Sequence, residues 1–187
     1  VRGVRIPPYD WAGLLPETAE APGGLAAWIP ADQYWLSIPS TSSLRALFAM
    51  GSGRGEALMT MLPLPGAYEG LYARYEGQLA LTSFRESILS EKGPEAEFAM
   101  TGGDPFFPSG PDVALLIDSE DSQRIGEMLK QSFMAGLGEQ ELGEKTVAGK
   151  KVIFAADENR SLSFYAAQLS DRVWAVSNSQ MQMKRLI

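Results

Sequence analysis

Histidine and cysteine are both missing from the 187 residues. Without thiols the chain has no disulfides, no zinc ribbons and no cysteine nucleophile. Without imidazole it has no His-containing triad and none of the usual zinc sites. Any catalysis would run on carboxylates, hydroxyls or amines. Long apolar runs are missing too. The longest strongly apolar stretch is Val113-Ala-Leu-Leu-Ile117, far short of the ~20 residues that span a bilayer. No signal-peptide pattern is visible. Basic charge is scarce, with 16 Lys and Arg against 23 Asp and Glu, a net charge of −7. That balance argues against a nucleic-acid backbone or an anionic membrane surface as partner, and is the ordinary signature of solubility.

What is present is a core. Hydrophobic residues make up 45% and charged residues 21% of the chain, the proportions of a folded globular protein. Four Trp, six Tyr and eight Phe argue against disorder, which is normally aromatic-poor. The length suits a single domain with an appended segment. Absence of cysteine leans towards export. The ends at Val1 and Ile187 read as cut ends of a longer polypeptide.

Residues 1–33 are punctuated by Pro7-Pro8, Pro16, Pro22-Gly23-Gly24 and Pro30, too densely for a long helix. Trp11, Leu14, Leu15, Leu25, Trp28 and Ile29 make this segment an apolar strap or linker. Residues 34–187 read as one α+β domain. Tyr34-Trp-Leu-Ser-Ile38 is a strand, and Pro39-Ser-Thr-Ser-Ser43 offers caps for a helix carrying Leu44, Leu47 and Phe48. Gly51-Ser-Gly-Arg-Gly55 stops that helix, and a short one follows over 56–62. The pattern predicts a helix over 67–81 with Tyr68, Leu71, Tyr72, Tyr75 and Leu79 on one apolar-aromatic face. Ser83-Phe-Arg-Glu86 matches a capping box for another helix reaching about Glu91.

Glu95 to Thr101 alternates with period two, as a half-buried strand does. A Gly- and Pro-rich loop, 102–111, leads to the strand Val113–Ile117. Asp118-Ser-Glu-Asp121 caps and charges a helix running to about Leu137, with Ile125, Met128, Leu129 and Phe133 inward. Strands over 144–147, 151–155, 162–168 and 172–177 then form an antiparallel meander, and Asn178-Ser179 caps a final helix. The expected architecture is a mostly antiparallel sheet with helices packed mainly on one face.

Candidate chemistry is sparse. Gly51–Gly55 lacks the lysine of a phosphate-cradling loop and follows a helix where that loop needs a strand. In the loop 102–111, three prolines and three glycines surround Phe106 and Phe107. It reads first as a long connection whose phenylalanines plug the core. The alternative is a ligand-binding loop with Phe106 and Phe107 as aromatic contacts and Asp104 as acceptor. Asp112, Asp118, Glu120 and Asp121 lack the spacing of a calcium loop, and helix capping accounts for the last three. Asp157 and Glu158 lie in a turn, and Glu95 and Glu97 share one strand face. No Gly-x-Ser-x-Gly elbow occurs. Asn159-Arg-Ser161 fits the N-glycosylation triplet. Neither a catalytic residue nor a cofactor nor a metal site is expected.

Ile29-Pro-Ala-Asp32, Tyr75-Glu-Gly-Gln-Leu-Ala-Leu81, Met100-Thr-Gly-Gly-Asp104, Val147-Ala-Gly149 and Asn159-Arg-Ser-Leu-Ser-Phe-Tyr165 together resemble a family of large exported bacterial proteins without an assigned activity. The likeness covers about four-fifths of the chain and rests on no single specific motif. It implies an extracellular or periplasmic location and membership of a longer polypeptide. The function expected is a non-catalytic interaction or assembly module, whose partner is another protein or another domain of the same chain. A small-molecule or carbohydrate binder using the 102–111 loop is the alternative, and a carboxylate-dependent hydrolase the second.

Overall fold

A computed structural model describes residues 23–50, 71–103 and 112–187. Among them are seven strands: β1 Tyr34–Ile38, β2 Glu97–Gly102, β3 Val113–Asp118, β4 Gly143–Val147, β5 Lys150–Ala156, β6 Ser163–Gln168 and β7 Val173–Ser177. The α-helices are α1 Thr41–Met50, α2 Leu71–Gln78, α3 Thr82–Leu89, α4 Ser122–Gly136 and α5 Gln180–Leu186, and a 3-10 turn spans Gly24–Trp28. The strands make one sheet in the order β1-β2-β3-β7-β6-β5-β4, and every neighbouring pair is antiparallel. The fold is α+β. Two consecutive meanders, β1-β2-β3 and β4-β5-β6-β7, are welded by the long-range β3–β7 pair, which sets Leu116 opposite Ala175.

Side chains alternate cleanly between two faces, as strand geometry dictates. On the first face Phe98, Ile117, Val176, Phe164 and Ile153 meet Phe84 and Ile88 of α3 and Ile125, Leu129 and Phe133 of α4. Phe133 stacks on Phe164 with ring centroids 4.2 Å apart. Gly126 lets α4 lie close to the sheet: a Cβ there would sit 2.6 Å from the Trp174 ring. On the second face Ala99, Leu116, Ala167 and Ala175 meet Met183 and Leu186 of α5 and Leu25 of the 3-10 turn. The small residues in that set allow the thin covering to sit down on the strands. α1 to α4 thus contribute to the first face through Leu44, Tyr75, Leu79 and the residues above, and α5 takes the opposite one.

Local signals account for several boundaries. The Ser40 hydroxyl accepts from the Ser43 N–H at 3.0 Å and so caps α1. Ser179 likewise accepts from the Gln182 N–H at 3.3 Å at the start of α5. Ala148 and Gly149 both have positive φ, 46° and 84°, the pair of left-handed conformations a two-residue hairpin turn requires between β4 and β5.

Two capping expectations are overturned. α3 starts at Thr82 and has Leu81 at its N-cap without a side-chain cap bond, so Ser83 and Glu86 form no capping box. Helix entry is set by tertiary contact instead: the Phe84 N–H donates to Ser132 Oγ of α4 at 3.0 Å, and Ser132 donates to the Ala80 carbonyl at 2.6 Å. Asp121 does not cap α4 through its side chain either. Asp118 ends β3, and its carboxylate accepts from Arg172 at 2.8 Å.

Candidate functional site

The described residue set leaves one strongly apolar depression on the first face, at the β1 end of the sheet. Its floor is Leu36 and Ile38 of β1, Phe98 and Met100 of β2 and Leu115 of β3, and its walls are Leu44, Leu47 and Phe48 of α1 with Tyr75, Leu79 and Ile88. The cavity volume is about 320 Å³. Several of these side chains are uncovered: Leu36 is 50%, Leu47 47% and Met100 39% exposed, and Trp35 on the opposite face of β1 is 49% exposed. Isolated exposed leucines are ordinary on a protein surface, but a cluster at one edge marks a contact site.

Polar groups at the rim are few and largely committed. Arg85 Nε donates to Glu76 Oε1 at 2.6 Å, and its guanidinium lies 5.8 Å from the centre of the Phe48 ring. Tyr75 Oη is buried and has no hydrogen-bond partner. Burial pushes the Tyr75 pKa above its ordinary value, partly opposed by the neighbouring Arg74. Tyr34 is raised as well, by burial and then by Tyr75. Both phenols are therefore neutral across the physiological range. Among the described residues that line the depression, the one carboxylate, Glu76, is paired with Arg85. The lining is suited to accept apolar groups.

Among the described residues, the acids singled out in the sequence do not gather into one site. Glu95 Oε1 accepts from the Thr41 N–H at 2.9 Å and so serves the start of α1. It precedes β2, which begins at Glu97. Asp118 and Glu120 share Arg172, at 2.8 and 3.4 Å. Asp157 accepts from Ser161 Oγ and, at 3.2 Å, from the Leu162 N–H. The Ser161 bond, with backbone N–H bonds in support, holds the Asp157 carboxyl below its ordinary range. It organises the β5–β6 turn. Among the described residues no group of three or more acidic side chains is placed to hold a metal ion. A second, open cleft between α3 and α4 is lined by Glu86, Ser87, Arg124 and Glu127, with Arg124 bound to the Lys92 carbonyl at 2.6 Å.

Asp104, Phe106 and Phe107 lie outside the described residues, as do Gly51–Gly55, the short helix expected over 56–62 and the strap residues Trp11, Leu14 and Leu15. Helical spacing groups Leu44, Leu47 and Phe48 on one face, and Tyr75 and Leu79 on another. The structure leaves Leu47, and Leu36 of β1, at the surface. The available signal was β1 itself, whose five residues carry no charge. Among the described residues no helix is long and apolar enough to cross a membrane. Comparison with family models, with curated proteins and with solved structures finds no match to this chain.

Proposed function

We propose that this chain is a non-catalytic interaction or assembly module of a larger exported bacterial protein, and that the apolar depression beside β1 is its contact surface. The observation that carries the reading is the grouping of Leu36, Leu47 and Met100, each more than a third exposed, around one depression. Burying such side chains is worth about 1.5–3 kcal/mol each, a driving force that the chain leaves unused at this place. A protein partner, or another domain of the same polypeptide, supplies the missing cover. Export rests on the sequence resemblance and on the lack of cysteine.

The test is a photo-crosslinking residue at Leu47 in the intact parent polypeptide, with the same residue at the exposed Glu127 as control. Crosslinks to polypeptide from position 47, well above those from position 127, are expected. Equal yields at the two positions would contradict the reading. Fractionation of the same cells tests export separately: the protein is expected outside the cytoplasm.

A further inference from the structure

Resting on that reading, we infer that the occupant of this surface is a second copy of the chain, added strand to strand along β1. In the sheet, β1 is the terminal strand and pairs with β2; no other strand among the described residues pairs with it. Alternate N–H and C=O groups along its outer side are therefore free to bind another strand. Tyr34, Trp35, Leu36, Ser37 and Ile38 are uncharged. In a chain of net charge −7, two copies repel over most of their surface, and approach is cheapest along an edge without charge.

The chemistry of the surface selects a neutral, apolar, extended segment. A basic partner would need free carboxylates here, and Glu76 is already bound to Arg85. The chain itself carries a segment of the required kind, β1, held extended by its own sheet, so pairing does not have to order a flexible peptide. Antiparallel pairing about a two-fold axis makes the contact self-complementary and closed. Full overlap of two five-residue strands puts the axis at Leu36, with Tyr34 opposite Ile38. The two Leu36 side chains then meet on the first face, and each apolar depression continues into the other. The joined sheet ends on β4 at both sides, so no apolar edge remains to recruit a third copy.

Sedimentation of the folded chain from about 1 μM to about 500 μM tests this directly, since an edge contact of this kind should hold at micromolar concentration. The expected result is a monomer–dimer equilibrium that Leu36→Lys weakens at least tenfold, because two like charges would face each other across the axis. Leu36 is half exposed, so a folded variant is expected, checked by circular dichroism. Leu36→Cys gives a second reading that does not depend on that variant. Directly opposed residues in an antiparallel pair lie about 4.5–5.5 Å apart, within disulfide reach, and the chain has no other cysteine. Mild oxidation should yield a covalent dimer, while Glu127→Cys should not. A chain that stays monomeric throughout the range overturns the inference. So does a dimer that survives Leu36→Lys and forms no Leu36→Cys crosslink. If the chain is monomeric while position 47 crosslinks to a different polypeptide, only the second copy is wrong; if position 47 also fails, the contact surface itself is wrong.

Discussion

The two edges of the sheet are built to opposite specifications. β4 is guarded. Glu144 on it pairs with Lys151 of β5 at 2.8 Å, and Lys145 turns its ammonium to the other face, 4.2 and 4.5 Å from the centres of the Phe154 and Tyr165 rings. Lys145 also donates to Gln180 of α5 at 2.7 Å, so the edge strand is pinned to the helix that covers that face. Charges alternating along an edge discourage another strand from adding to it. β1 has no such device: its residues are uncharged, and Trp35 and Leu36 are about half exposed on its two faces. One sheet thus carries one closed edge and one receptive edge. The contrast teaches that exposure of apolar groups here is a property of place, since the same fold demonstrates at β4 how to prevent it.

The contrast depends on a shared core, and the largest expected effect comes from breaking it. Phe133→Ala removes the ring stacked on Phe164 beneath the sheet and should destabilise the fold by about 3–5 kcal/mol. If the β3–β7 pair makes the two meanders one cooperative unit, urea unfolding followed at Trp35 and at Trp174 should shift together. Separate transitions would show two halves that unfold independently. Gly126→Val should have the next largest effect, about 1–3 kcal/mol from overpacking, because its side chain would run into Trp174. Circular dichroism during urea titration measures it. The same titration should show little change for Glu127→Ala on the exposed side of α4.

At the guarded edge, Lys145→Gln should lower stability by about 1 kcal/mol through loss of the contact with the two aromatic rings. A neutral or stabilising outcome would mean that the lysine serves only to repel other strands. The smallest effect concerns pH. The Asp157 carboxyl lies below its ordinary 3.8 in the folded chain, chiefly through its bond from Ser161. It therefore contributes stability above that ordinary value, and the contribution is lost as pH falls through the lowered folded value. Asp157→Asn should flatten the stability-versus-pH curve below about pH 4. An unchanged slope would show that the turn does not depend on this charge.

Much of the scaffold is legible in the sequence because it is local. The stretch through Glu97–Thr101 announces itself by alternation, Tyr34–Ile38 by its aromatic and aliphatic residues, and the strands of the second meander by the turns between them, while Ser40 and Ser179 cap the helices they precede. The sheet order is not legible, since the β3–β7 pair joins residues far apart in the chain and leaves no periodic mark. Nor is the start of α3, where Ser132 of α4 overrides the pattern at Ser83 and Glu86. The apolar faces of α1 and α2 are visible as patterns. Periodicity states which side of a helix is apolar; it does not state whether anything covers that side. That is why Leu47 belongs to an apolar helical pattern in the sequence and still stands at the surface in the fold.

Hydrogen exchange compared between the two edges tests the central claim most directly. Backbone amides of 34–38 and of 143–147 should be followed in the same sample at low and at high protein concentration. If β1 is the receptive edge, protection over 34–38 rises with concentration while 143–147 stays the same. Protection that is independent of concentration at both edges, or that rises at 143–147 instead, would contradict the account.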